Sequence, residues 1–258
     1  MRSIVITMPV YNEEQGVGDF ILEINSALSG CKVLFIVVND CSTDRTVDKI
    51  TALSQTGIDT VLINNKSNVG HGVSTRTGLE EALNIGADVI VSVDGDGQFL
   101  GQDIANIFKL SIENPNSVVE GVRKNRSDPP YRKVVTNFTR LLVFTRTFRK
   151  VKDANTPLRA YSPGSLEKIL IKVPREALTP NLFISVVTRA MRFKVIEIEV
   201  TSLSRRGQNS EGVTWGPTRK NIPPKKYVLF CLKAIRQWTA IYSTNLKVGA
   251  GDSVIEDK

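Results

Sequence analysis

The sequence predicts an α/β fold built on a mostly parallel sheet. Two observations carry that expectation. Short β-branched runs alternate with stretches of helical period through the first 122 residues, and a polar cluster follows each main strand-like run. The clusters are Tyr11–Glu14, Asn39–Asp44, Asn68–Gly72 and Asp94–Gln98. In open parallel sheets, ligands gather beyond the carboxyl ends of the strands, where these clusters fall.

The elements follow in order. Ser3–Met8 reads as a strand ending at Pro9, and Val17, Phe20, Ile21, Ile24 and Leu28 recur at helical spacing. Val33–Val38 is a continuous apolar run, short and valine-rich, so it predicts a strand buried on both faces. A helix over Asp44–Ser54, a strand over Thr60–Ile63, a helix over Val73–Leu83 and a buried strand over Val89–Val93 come next. Ile104, Ile107 and Phe108 mark a helix, and Val118–Val119 a strand. Beyond it lie an apolar stripe within the basic segment Tyr131–Lys152, a short strand over Leu158–Tyr161 and helices over Ser165–Ile171 and Leu182–Met191. Val195–Val200 alternates as VIEIEV, the pattern of a half-exposed edge strand. Gly207–Pro224 reads as a loop, and Tyr227–Tyr242 as an amphipathic helix before a polar tail.

The chain has 258 residues and a net charge of +8, divided unevenly. Residues 1–122 hold 7 basic and 16 acidic side chains, whereas residues 123–258 hold 27 basic and 10 acidic. Such asymmetry points to an anionic partner or membrane surface on one side. Three scattered cysteines suggest reduced thiols in a cytosolic protein rather than a disulfide framework. One histidine, His71, argues against a His-based zinc site or a Ser-His-Asp triad and reads as a helix-start residue. The longest charge-free run, Ala177–Thr188, has 12 residues, fewer than a bilayer span needs. No targeting segment is visible, so a soluble or peripheral protein is expected.

The strongest chemical signal is Asp94-Gly95-Asp96-Gly97-Gln98. Two carboxylates and an amide oxygen at alternate positions present oxygen ligands from one side of an extended chain. Oxygen-only ligands suit Mg²⁺ or Mn²⁺, typically shared between one or two carboxylates and substrate phosphates. Asp44 or Thr43 fits a helix N-cap, and Asp40, just past a strand end, is placed to accept from a nucleobase edge or ribose. The Asn68–Gly72 turn opens a helix whose N–H groups would favour phosphate.

PVYNEE at Pro9–Glu14, VVNDCSTDRT at Val37–Thr46, NVGHGVSTRTGLEEA at Asn68–Ala82 and SVDGDGQF at Ser92–Phe99 together resemble the family 2 inverting glycosyltransferases. That resemblance implies the GT-A fold, a Rossmann-like nucleotide-diphospho-sugar transferase architecture. The likeness to the dolichol-phosphate mannosyltransferase and bacterial polyprenyl-phosphate branch is closest, through DGDGQ and DANTPLRAYS at Asp153–Ser162. It covers about residues 1–125 well and is patchy to about 206. It implies one domain with a donor-binding half over 1–122, an acceptor-binding half over 123–226 and a C-terminal helix and tail over 227–258. Pro9, Tyr11 and Glu13 would then form the nucleotide wall, with Asp40 the acid that reads base or ribose. Asp94 and Gly95 would lie by ribose and sugar, with Asp96, Gln98 and Asp94 as the metal ligand set. Arg123 would approach the donor phosphates or sugar. Arg205 or Arg206 would clamp the diphosphate, and Asp153 is the remaining acid that could serve as base, or equally an anchor for the loop that follows it.

Two departures from the branch stand out. Its usual Arg-x-x-Gly-x-Ser-Lys reads here Ser204-Arg205-Arg206-Gly207-Gln208-Asn209-Ser210-Glu211, and TPLRA replaces Gly-Phe-Arg. The helix over Leu182–Met191 lacks the carboxylate that many relatives carry. A phosphate monoester is already ionised and needs no base, so this favours a phosphate acceptor.

Arg123–Lys152 holds 10 basic residues and one acid, interleaved with Leu141, Leu142, Phe144 and Phe148, the make-up of an interfacial element. The final helix adds Lys225, Lys226, Lys233 and Arg236 beside an apolar stripe, for which core packing is the first expectation. No nucleic-acid motif is present. The expectation is a metal-dependent transferase moving a sugar from a UDP- or GDP-linked donor to a polyprenyl phosphate, at the cytoplasmic face of a membrane. A transferase acting on a saccharide hydroxyl, or a nucleotide-sugar binding protein without transfer, are the alternatives.

Overall fold

A computed structural model describes residues 2–124, 129–207 and 222–244. The elements run β1 (Ser3–Val10), α1 (Val17–Ala27), β2 (Lys32–Asn39), α2 (Thr46–Ser54), β3 (Thr60–Asn64), α3 (His71–Ile85), β4 (Val89–Ser92), α4 (Gly101–Glu113) and β5 (Ser117–Lys124). They continue with α5 (Pro130–Thr147), β6 (Arg159–Tyr161), α6 (Pro163–Lys172), α7 (Pro180–Ala190), β7 (Lys194–Thr201) and α8 (Lys225–Thr244). Seven strands form one sheet in the order β3-β2-β1-β4-β6-β5-β7. All neighbours are parallel except β6, which runs antiparallel to both β4 and β5.

Strand residues alternate between two cores. Ile4, Ile6, Met8, Phe35 and Val37 face α1, α2 and α4, through Phe20, Ile24, Ile50, Ile104 and Ile107. Val5, Ile36 and Val38 join the opposite core with Leu79 of α3, Leu166 of α6 and Phe183 of α7. Helices on both faces explain why β1, β2 and β4 read as continuous apolar runs. β7 lies at the edge, as its alternation predicts.

β1 continues through Pro9 to Val10, two residues beyond the expected end. A proline is tolerated there because its carbonyl accepts from Gly95 N–H (3.2 Å), and its missing N–H faces that same side, past the end of β4. The expected loop over Gly207–Pro224 lies mostly outside the described residues, as does the tail. Helix α8 divides its stripe: Trp238 is buried on Phe183 (ring centroids 4.8 Å), while Val228, Leu229, Leu232 and Ile235 are exposed. Core packing therefore holds only toward its C-terminal part. Among the described residues no helix is long and apolar enough to cross a membrane.

Candidate active site

The carboxyl ends of β1, β2, β4 and β5 bring together residues that are far apart in sequence. Past β4 the chain turns through Asp94–Gln98, with Gly95 against β1. A Cβ on Gly95 would stand 2.4 Å from the Val10 side chain and 3.0 Å from the Pro9 carbonyl, so only glycine permits this approach. Gly97 has φ +69°, in the left-handed region, and the Arg206 side chain crosses directly over it.

Asp94 and Asp96 are the charged centre of the turn. His71, first residue of α3, places its Nε2 2.8 Å from Asp94 Oδ1. Burial opposes the Asp94 charge, but His71, with Arg123 and Arg205 further off, holds its carboxyl below the usual range. Burial likewise opposes charging His71, yet Asp94, Asp96 and Asp40 outweigh it and raise its pKa. Asp96 goes the other way: burial and the Asp94 charge push it up to about 6. Two carboxylates whose mutual repulsion raises one of them suit a divalent cation, which would relieve that repulsion. Among the described residues no three His, Cys, Asp or Glu side chains converge as a cage. A site that Mg²⁺ or Mn²⁺ shares with substrate phosphates needs no such cage. Gln98 donates its side-chain amide N–H to the Leu203 carbonyl (3.2 Å) and its backbone N–H to Asp96 Oδ1 (3.2 Å), and its amide oxygen is of the type that can serve as a metal ligand.

Residues 202–207 form a strap across this turn. Leu203 N–H donates to the Gln98 carbonyl (2.9 Å) and Arg206 N–H to the Asp96 carbonyl (3.0 Å). The two arginines then diverge. Arg205 forms a bidentate pair with Glu13, and its charge reaches Asp94 and Asp96. Arg206 turns away, pairing with Glu23 of α1 and lying 5.2 Å over the Phe20 ring. Burial pushes Glu13 up to about 7 despite Arg205. Its own N–H donates to Thr46 Oγ1 (2.8 Å), fixing the loop after β1. Tyr11 stands half-buried at the start of that loop.

Asp40 is buried, and its two oxygens accept from Val69 N–H (2.9 Å), Gly70 N–H (2.9 Å) and the Asn65 amide (3.0 Å). It holds the loop that opens α3, and at most about one of a carboxylate's roughly four lone-pair positions is left for a ligand. Asp44 serves the turn into α2, accepting from Thr46 N–H (3.0 Å).

On the basic side, Arg123 at the end of β5 forms two hydrogen bonds with Asp153 (2.7 and 3.0 Å) and donates to the Asn155 carbonyl (3.1 Å). Asp153 is buried in this pair and is no unpaired acid. Thr156 and Arg159, in the TPLRA stretch that stands for Gly-Phe-Arg, are wholly inside the protein. Arg159 stands 3.3 Å from Glu120 and donates to Ser185 Oγ (2.6 Å), while Arg189 joins Glu120 (2.8 Å) and Glu197 (3.1 Å). Sequence reasoning missed this network. Its signal was Glu120, a carboxylate in the middle of the otherwise apolar run Val118–Val122. The His71–Asp94 contact was missed as well, since α3 and β4 meet only in three dimensions.

The sheet order and the antiparallel β6 are those of the GT-A fold. Glycosyl transferase family 2 matches residues 5–170, and the chain belongs to that family. Among relatives, it is 25% identical over 205 residues to the undecaprenyl-phosphate 4-deoxy-4-formamido-L-arabinose transferase of Serratia proteamaculans. The alignment covers 77% of this chain and 61% of that protein, so the chain spans about three fifths of the relative's length. The Yersinia enterocolitica protein of the same name is 27% identical over 190 residues, covering 70% of this chain and 55% of its own. Glucosyl-3-phosphoglycerate synthase from Mycobacterium tuberculosis, solved with Mn²⁺, UDP and glucosyl-3-phosphoglycerate, shares the fold. Its TM-score is 0.62 at 14% identity, over 93% of this chain and 79% of that one. S. aureus TarS shares it with a TM-score of 0.55 at 18% identity, over 79% and 60% of the two chains.

Proposed function

We propose that this chain transfers a sugar from a nucleoside diphosphate donor to a polyprenyl phosphate at a membrane surface. The observation that carries the acceptor is the state of the acids in the second half. Asp153 is locked on Arg123, Glu197 on Arg189 and Lys152, and Glu199 on Lys124, while α7 has no carboxylate. A sugar hydroxyl needs a base within hydrogen-bond reach, whereas an ionised phosphate attacks without one. The named relatives, which are undecaprenyl-phosphate transferases, agree in acceptor class.

On the donor side, Pro9, Tyr11 and Glu13 form one wall of the nucleotide site, and Asp40 both holds the α3 loop and faces base or ribose. Asp94 and Gly95 sit by ribose and sugar, with His71 fixing the Asp94 carboxylate. Asp96, Asp94 and Gln98 would hold Mg²⁺ or Mn²⁺, which when bound supplies positive charge to the leaving diphosphate. Arg205, whose charge already reaches Asp94 and Asp96, moves from Glu13 to the diphosphate when donor arrives. Arg206 keeps the strap on the turn. Arg123, oriented by Asp153, steadies charge between donor and acceptor phosphates, the place where the reaction develops it. Asp153 thus positions an arginine instead of abstracting a proton.

The test is transfer from radiolabelled UDP- and GDP-sugars with Mn²⁺ to polyprenyl phosphate in vesicles. Product extractable into organic solvent is expected. Efficient transfer to a water-soluble saccharide, abolished by Asp153→Asn with donor binding intact, would favour the hydroxyl acceptor instead.

A further inference from the structure

A second basic site lies away from the donor turn. It is a concavity of about 670 Å³ lined by Arg149, Lys150 and Lys152 after α5, Arg189 and Arg192 at the end of α7, and Phe193–Val195 with Glu197 at the start of β7. Lys194 is paired in register with Ser117 at the start of β5, whereas Arg123 lies at the other end of that strand. Six positions of strand separate the two by about 20 Å. Six cations face a single carboxylate, Glu197, which Arg189 and Lys152 already neutralise. Arg149, Lys150 and Arg192 are exposed and meet no carboxylate among the described residues.

The backbone at this rim is also unusual. Phe148 ends α5 at φ +54° and Arg192 follows α7 at φ +60°, both in the left-handed region where helix ends ordinarily place glycine. For a bulky residue this conformation is strained, and strain of this kind gathers at functional surfaces. The Phe148 side chain gains no burial in return: it is 82% exposed, stacked edge-on against Phe144 (6.4 Å), itself 41% exposed. Toward the other end of α5, Val134, Phe138 and Leu141 continue the same exposed stripe. This helix carries four basic residues and no acid over its 18 positions, and its only buried side chain is Val143.

We infer that this rim is an anionic-bilayer docking site, with Phe144 and Phe148 entering the interface and the Arg149, Lys150, Arg192 and Lys194 pocket taking phospholipid headgroups. An apolar stripe with cations at its end matches an interface that is apolar beneath and negative at its surface. α5 then lies along the membrane. Its N-terminal end follows Arg123 by seven residues, so the docked orientation brings the proposed active site to the surface where a lipid phosphate resides. The inference rests on the membrane-borne acceptor proposed above, but its test does not require transfer.

Sedimentation with vesicles decides it, using phosphatidylcholine alone and phosphatidylcholine mixed with phosphatidylglycerol in equal parts. The parent chain should bind the mixed vesicles and not the neutral ones. The triple variant Lys150→Gln, Arg192→Gln, Lys194→Gln should bind about 100-fold more weakly, at the scale each surface cation contributes. Phe148→Gly should bind about tenfold more weakly while its thermal midpoint holds or rises, because glycine relieves the positive φ. Both variants should keep the parent's affinity for UDP with Mn²⁺, so a failure here leaves the donor site standing. Parent-like binding of either variant to mixed vesicles would overturn the inference. Displacement from those vesicles by inorganic pyrophosphate at constant ionic strength would overturn it too, marking a site for free anions.

Discussion

The two halves of the chain handle charge in opposite ways. The first half concentrates carboxylates where strands end and buries or half-buries them: Glu13, Asp40, Asp94 and Asp96 meet backbone N–H groups, one histidine and one arginine drawn from elsewhere. The second half buries a few arginines around Glu120 and gathers several exposed cations around one surface concavity. Buried carboxylates are held ready for a ligand that brings positive charge: burial, and after it the Asp94 charge, pushes Asp96 up to about 6 without one. Exposed cations cost little to keep and attract over a distance set by the ionic strength. Net charge alone, +8, hides both arrangements.

The sharpest way to break this comparison is to remove the carboxylate on which it turns. Asp96→Ala should abolish Mn²⁺-dependent donor binding in calorimetry and lower transfer by about 1000-fold or more, the scale of a metal's contribution to a phosphoryl leaving group. Unchanged donor affinity would refute the site. Next in size is the buried network of the second half. Glu120→Ala leaves Arg159 and Arg189 without their shared partner, and should cost about 3–5 kcal/mol in urea unfolding while the folded fraction still binds donor. A cost under about 1 kcal/mol would mean that water or neighbouring carbonyls satisfy the arginines.

The strap separates the halves more finely. Arg205→Ala should weaken donor binding about 10- to 100-fold, the range for charge-assisted hydrogen bonds, and Arg206→Ala far less. The reverse order would move the diphosphate contact to Arg206. The smallest effect concerns pH. Glu13 has a folded pKa of about 7 against an ordinary 4.5, so the folded chain binds the extra proton between those values. Its contribution to stability is complete below about 4.5 and is lost as pH rises through 7. Glu13→Gln should therefore flatten the decline in thermal midpoint across that window in metal-free buffer, and an identical profile in both proteins would show that Glu13 does not titrate there.

Much of this was legible because local rules coincided with the fold. Val33–Val38 could only be a short buried strand, and β2 lies between β1 and β3 with helices on both faces. Asp94–Gln98 was legible as a carboxylate turn at a strand end, and it follows β4. The edge position of β7 followed from its alternation. The partners of these residues were not legible. Glu120 meets Arg189 from 69 positions away, and Arg205 reaches Glu13 across 192. Sequence left Asp153 open between a base and a loop anchor, and Arg123 pairs with it; the alternation of β7 gives no sign that Glu197 is held by Arg189 and Lys152.

The sequence by itself determined the order of elements, the family and the placing of Asp40, Asp94 and Asp96 just past strand ends, because periodicity and motif spacing are properties of neighbouring residues. Tertiary structure decided which arginine's charge reaches the Asp94–Gln98 turn, which acids are already paired, and that a strained Phe148 beside a cluster of cations stands in the open. Those outcomes depend on which distant segments share a few ångströms of space, and in that space charge pairing and burial are settled.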